Sequence, residues 1–170
     1  MTLFRRYFVA ALVLMCALPM VVAAQDEPPK ELEQKACGPK EKEFNYSADT
    51  DKSRHPTPDQ PADKALVYVL WPSMMGNKVQ TKLAVDGDWK GVNRGDNYFY
   101  FTLEPGEHYF CSVAENHSLL TLKVEAGKTY YVQQHIHMGV MKARNEIEPM
   151  AEEEGKTKLA KAHLTTWGVK

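Results

Sequence analysis

Two histidines one residue apart, in "YVQQHIHMGVM", are the side chains whose type and spacing point most directly to chemistry. Alternate residues of a strand share a face. Tyr131, Gln133, His135 and His137 therefore line up together, opposite Tyr130, Val132 and Ile136. The second set is apolar and reads as core, so the first faces solvent or another element. Two imidazoles at i and i+2 on one face can bind copper or zinc. Met138, Met141, His108 or His117 would complete such a site if the strands bring them close. The plainer alternative is a solvated polar face, and two donors without a visible third favour it.

A second candidate is aromatic. Tyr98, Tyr100 and Tyr131, with Trp89, would make an exposed patch of the kind that marks protein or glycan contacts. The competing reading places these rings as cover beneath a C-terminal helix, which must bury its own apolar face on something. The acids add little. Asp86 and Asp88 flank Gly87 in a turn, and turn aspartates usually bond the local backbone. His108 neighbours Glu107, but successive strand residues point to opposite faces. No nucleophile, base and orienter stand at defensible spacings. No phosphate-binding loop, Gly-x-Ser-x-Gly elbow or His-Glu-x-x-His is present. No catalytic residue and no cofactor is assigned.

The elements that must position these residues are strands. Leu66, Tyr68 and Leu70 alternate with Val67, Val69 and Trp71, so this strand is apolar on both faces and belongs in the middle of a sheet. Val79, Leu83 and Val85 alternate with polar partners. Phe99, Phe101 and Leu103 do the same against Tyr98, Tyr100 and Thr102. Further strands read over 108–113, 120–124 and 128–137, with a last one over 139–148. Asp86-Gly87 and Pro105-Gly106 are turn chemistry. About seven short strands with regular turns predict a mainly β chain, an antiparallel β-sandwich or partly open barrel. One C-terminal helix is expected, with Pro149 in its first turn, Glu152–Lys156 and Glu154–Lys158 spaced i,i+4, and Leu159, Ala162 and Leu164 packing on the sheet. Gly155 weakens it.

The first residues address the compartment. Arg5 and Arg6 precede an uncharged apolar run from Phe8 to Leu18, and Val22-Ala23-Ala24 offers small residues for cleavage before Gln25. That is the three-part pattern of a secretory signal peptide over residues 1–24. A membrane anchor is the alternative, but the run is slightly short of the ~20 apolar residues a span requires and is broken by Pro19. Met15 before Cys16 disfavours lipidation. Cleavage leaves 19 basic against 22 acidic residues. No basic excess attracts nucleic acid, and no later segment is long and apolar enough to cross a membrane. The expected location is periplasmic or secreted. Residues 25–64 read as a polar, Pro-rich leader and connector in which Phe44 and Tyr46 anchor a short edge strand. Residues 65–170 read as the sandwich with its helix. Cys37 and Cys111 remain after cleavage. An even pair in an oxidising compartment reads first as a disulfide that pins the leader to the core. A redox thiol pair or two metal ligands are the alternatives, and no Cys-x-x-Cys is present to lower a thiol pKa.

Four stretches also carry a resemblance: "KALVYVLWP", "LAVDGDWKG", "NYFYFTLEPGEHYFC" and "VEAGKTYYVQ". Their order is similar to that in a family of secreted bacterial proteins, domain of unknown function 2846, over roughly Ala36 to His163. "EEEGKTKLA" resembles its Glu-Gly helix. The Val-Asp-Gly and Pro-Gly-Glu-His pieces also resemble PEGA modules, small surface-associated sandwiches. The resemblance implies an exported β-rich domain and transfers no catalytic residue. The expectation is a non-catalytic module that binds a protein, glycan or envelope component, with a periplasmic metal-binding protein using His135 and His137 second and an enzyme third.

Overall fold

Every residue of Ala65–Trp71 is buried, as expected of a strand that is apolar on both faces. The structure, a computed structural model, describes residues 30–37, 44–73, 79–138 and 143–169. These form helix α1 (Lys30–Cys37), strands β1 (Tyr46–Asp51), β2 (Ala65–Trp71), β3 (Gln80–Val85), β4 (Asp88–Arg94), β5 (Asn97–Leu103), β6 (Gly106–Val113), β7 (His117–Val124), β8 (Thr129–Met138) and β9 (Ala143–Met150), helix α2 (Glu152–Leu159) and strand β10 (His163–Val169). A six-stranded sheet runs β1-β10-β5-β2-β8-β9, and a four-stranded sheet runs β4-β3-β6-β7. Most pairs are antiparallel. β2 with β8 and β10 with β5 are parallel, so the larger sheet is mixed. The expected signal peptide, residues 1–24, lies outside the described residues.

The chain is a mainly β sandwich with a helix near its C-terminus, and ten strands are described where about seven were expected. Two strands escaped the periodicity. β4, "DWKGVNR", is polar because it is an edge strand. Its Gly91 lies so close to the neighbouring rings that a Cβ there would come 3.0 Å from Phe99 and 3.1 Å from Trp167. β10 begins at His163, where the expected helix would still run through Leu164. Instead the chain leaves α2, re-enters the large sheet between β1 and β5, and pairs Thr165 and Thr166 with Thr50 and Asp49 of β1. Pro149 belongs to β9, not to the first turn of α2. β9 is an edge strand, where a missing N–H donor is tolerated. The segment read as polar leader carries α1, and the Tyr46 region forms β1 at the sheet edge.

The packing has four layers. Val67, Val69, Leu83, Val85, Phe99, Phe110, Val132 and Ile147 fill the space between the sheets. On the outer face of the large sheet, Leu66, Tyr68, Leu70, Tyr98 and Tyr131 pack with Leu159, Ala162 and Leu164. On the outer face of the small sheet, Ala84, Cys111 and Val113 receive Ala36 and Cys37 of α1. Cys37 is disulfide-bonded to Cys111 across 74 positions, with Cα atoms 5.0 Å apart. The β3–β4 hairpin turns at Asp86 and Gly87, both at positive φ (53° and 85°), the combination an Asp-Gly turn requires.

A polar relay crosses the buried interior. Thr165 Oγ1 donates to Asn93 Oδ1 (2.8 Å), Asn93 Nδ2 to Gln134 Oε1 (3.3 Å), and Gln134 Nε2 to Ser112 Oγ (2.9 Å). Asn145 Nδ2 then donates to the Ser112 carbonyl (3.3 Å) and to that of Asn116 (2.7 Å). Thr165, Asn93, Gln134, Ser112 and Asn145 are all buried. The relay joins β10, β4, β8 and β6 and ends at the β7–β9 side, where Ser118 Oγ accepts from Ile147 N (3.1 Å).

Two substitutions test this packing. A Cβ at Gly155 would stand 2.2 Å from Tyr131 Cγ, whereas one at Gly168 would meet nothing within 4 Å. Gly155→Ala is expected to destabilise by about 1–3 kcal/mol through overpacking, despite alanine's higher helix propensity, while Gly168→Ala has a markedly smaller effect in the same urea titration. Gln134→Leu conserves bulk but strands Asn93 and Ser112 in the interior, at a cost of about 1–3 kcal/mol for each polar group left unpaired. A Gln134→Leu midpoint equal to wild type would show that the relay contributes nothing to stability.

Candidate functional site

The β8–β9 pairing places Gln133 opposite Glu148, His135 opposite Glu146 and His137 opposite Arg144. Directly opposed side chains on one face stand roughly 5 Å apart at Cβ, so two imidazoles and two carboxylates share a small patch on the outer face of the large sheet. Glu146 Oε2 lies 2.7 Å from His137 Nε2 and 3.3 Å from His135 Nε2. The imidazole rings are 4.3 Å apart and perpendicular. Glu148 Oε1 is 3.8 Å from His135 Nδ1 and accepts a short hydrogen bond from Gln133 Nε2. Gln133 Oε1 in turn accepts from Lys158 Nζ of α2 at 3.4 Å. The His135 side chain is 20% exposed, those of His137 and Glu146 58% and 51%. His135 Nδ1 itself is buried and has no hydrogen-bond partner among the described residues.

The structure thus brings His135 and His137 together on the outward face, and it adds Glu146, which the sequence reading did not single out. The donor atoms of the three lie within 4.8 Å of one another. Two imidazoles and a carboxylate are three of the four donors of a tetrahedral zinc centre with an open position. The other residues considered as completing ligands are placed otherwise. His108 Nδ1 lies 2.6 Å from Asp86 Oδ2 and its Nε2 lies 2.8 Å from the Glu104 carbonyl. His117 contacts Glu33 of α1. The side chain of Met138 and the whole of Met141 lie outside the described residues. A second cluster, Glu33, Cys37 and His117, has its sulfur committed to the disulfide, which leaves two donors. Asp86 bonds across to β6, accepting from Tyr109 N at 2.9 Å, rather than to its local backbone.

The exposed aromatic patch is corrected. Tyr98 and Tyr131 are buried and Tyr100 is half-buried, in one layer with Tyr68 beneath α2 and the segment that follows it. Tyr68 and Tyr131 stack at 5.5 Å with 8° between their planes. His55 of the connector packs over Tyr98 at 5.2 Å. Trp89 belongs to the other sheet and stacks on Phe44. The reason is the one weighed from sequence: α2 and the turn after it must bury Leu159 and Ala162. Burial pushes the Tyr98 phenol up to about 12, reinforced by the neighbouring Tyr68 and Tyr100. Burial also raises Tyr68 and Tyr131.

Fold and site together define a two-sheet β-sandwich, helix-covered on both outer faces, with a His–His–Glu cluster at the uncovered end of a strand pair. The chain belongs to the family described as "Protein of unknown function (DUF2846)", whose model matches residues 61–146. That match holds His135, His137 and Glu146 and stops before α2 and β10. Over 99 residues the chain is 31% identical to an uncharacterized protein of Haemophilus influenzae, across 58% of this chain and 59% of that one. The chain thus spans little more than half the length of that curated relative. No solved structure matches. Among the described residues, no helix is long and apolar enough to cross a membrane.

The tyrosine layer has a pH signature. The folded state keeps the Tyr98 proton up to about pH 12, whereas an unfolded tyrosine releases it near pH 10. Its contribution to stability is therefore fully present below about pH 10 and is lost as pH rises from there through about 12. Melting temperatures across that range should fall more steeply for wild type than for Tyr98→Phe. Parallel curves would count against a buried, late-titrating phenol.

Proposed function

We propose that this chain is an exported, disulfide-stapled sandwich that works by binding a protein, glycan or envelope component in the periplasm or outside the cell, and not by catalysis. The observation that carries this reading is the Cys37–Cys111 bond. It holds α1 against β6, the Ala36 carbonyl accepts from Gly87 N at 3.0 Å, and Lys35 Nζ stands 3.7 Å over the Tyr109 ring. A disulfide built into the packing of the N-terminal element belongs to an oxidising compartment. It agrees with the signal-peptide pattern of residues 1–24. His108 presents its two ring nitrogens to Asp86 and a backbone carbonyl, which ties the β3–β4 turn to β6.

Cell fractionation with thiol tagging tests the reading. The protein should accumulate in the envelope or medium, begin at or within a residue or two of Gln25, and take up no alkylating tag under denaturing, non-reducing conditions. Removing the bond by Cys37→Ala with Cys111→Ala should cost about 4 kcal/mol in the chain-entropy picture of a loop this long. Cytoplasmic protein that keeps residues 1–24 and takes three tags per chain, at Cys16, Cys37 and Cys111, would overturn the proposal.

A further inference from the structure

We infer that His135, His137 and Glu146 form a binding site for a divalent cation of the zinc or copper type. This deepens the binding reading above and rests on it in taking binding as the protein's work. Three observations carry it. First, the donors converge. The Nε2 atoms of both imidazoles point at a single carboxylate oxygen, Glu146 Oε2. The 3.3 Å between His135 Nε2 and that oxygen is the ligand–ligand edge, roughly 3.3 Å, of a tetrahedron with metal bonds of about 2.0–2.1 Å, while the 2.7 Å from His137 Nε2 is a hydrogen-bond length that opens when an ion enters. Second, the remaining nitrogen of His135 is buried and unpartnered among the described residues, with Glu148 Oε1 3.8 Å away. Metal-ligating histidines characteristically donate their other N–H to a carboxylate, which fixes the tautomer and aims the ring. Glu148 is the carboxylate placed to take that role. Third, the support is ordered. Glu148 is tied to Gln133 and Gln133 to Lys158 of α2, and Lys158 is held by Glu154 at 2.8 Å. Strand register, rather than loop placement, sets the spacing of the three donors.

The donor set selects the ion. Two imidazoles suit zinc and copper. Calcium and magnesium take oxygen ligands, six or more of them, and here Glu146 and Glu148 are the two carboxylates on the patch, too few for such a shell. The half-exposed His137 and Glu146 leave the fourth position open to water or to a donor from a partner. The competing account is that the two histidines simply pair with Glu146 as an ordinary surface ion pair.

The test uses the full chain as the cell processes it, purified without a polyhistidine tag and stripped with chelator. Calorimetric titration with Zn²⁺ or Cu²⁺ alone should show one equivalent bound, copper more tightly than zinc, with a rise in melting temperature complete at one equivalent. Ca²⁺ and Mg²⁺ should give neither. His135→Ala with His137→Ala should abolish the binding, and His137→Ala or Glu146→Gln alone should weaken it at least tenfold. Glu148→Gln should weaken it roughly ten- to hundredfold, as loss of a supporting partner does. His137 and Glu146 are exposed, so these two single variants keep the wild-type melting temperature without metal, which separates loss of a ligand from loss of the fold. Absence of stoichiometric binding, or wild-type affinity retained in both His137→Ala and Glu146→Gln, overturns the site. The two readings fail separately. An exported, disulfide-bonded protein blind to metal sinks the site alone. A cytoplasmic protein with free thiols that binds one zinc through these residues sinks the envelope reading alone.

Discussion

The constraint on which the rest depends is the double burial of β2. A strand with Val67 and Val69 on one face and Leu66, Tyr68 and Leu70 on the other cannot leave either side in water. Burying a residue of this size is worth about 1.5–3 kcal/mol, so both faces demand a cover. The small sheet covers the first. The second needs something narrower, because only the middle of the large sheet is apolar there, and α2 with the turn that follows supplies it. The fit is close enough to require glycine: position 155 lies directly on the Tyr131 ring. The residue that weakens α2 as an isolated helix is the one that lets it dock.

The same cover explains where the His–His–Glu cluster lies. Along the outer face of β8, exposure grows with distance from α2. Tyr131 is 7% exposed under the helix, Gln133 is half-buried at its margin, His135 is largely enclosed, and His137 stands in solvent. The helix therefore does two things for this strand. It buries the tyrosine layer, and through Lys158 and Gln133 it steadies the first polar residue beyond that layer. A half-enclosed imidazole beside an exposed one, facing carboxylates from the next strand, is the result of a cover that ends partway along a strand.

The inner face solves a different problem. The aliphatic core is continuous with a buried chain of side-chain amides and hydroxyls from Thr165 to Asn145. Such groups are costly when unpaired and directional when paired. A slip of one residue in β8 would exchange Gln134 for a neighbour from the opposite face. The relay thus ties the register of β8 to β4 and β6 in the other sheet. Since β8 carries the two histidines and pairs with the strand carrying Glu146, the interior hydrogen bonds also help hold the outer donors in place.

What the sequence determined by itself was whatever is local and periodic. Alternation placed β2, β5 and β8 and put Tyr131, Gln133, His135 and His137 on one face. Asp-Gly and Pro-Gly marked turns, and two cysteines marked a staple. These follow from a period of two and from backbone sterics, which need no partner to be read. The tertiary structure decided everything that depends on which strand lies beside which. Gln134, on the same face as Val132 and Ile136, has its role set by Asn93 and Ser112, which meet it from the other sheet. β10 was hidden because its pairing with β1 and β5 joins segments far apart in sequence. Tyr98, Tyr100 and Tyr131 were one layer either way, and only the position of α2 decided between surface and cover. Glu146 reaches both histidines through its register with His135. No spacing in a single chain encodes that register, since pairing is settled by the packing of both faces at once.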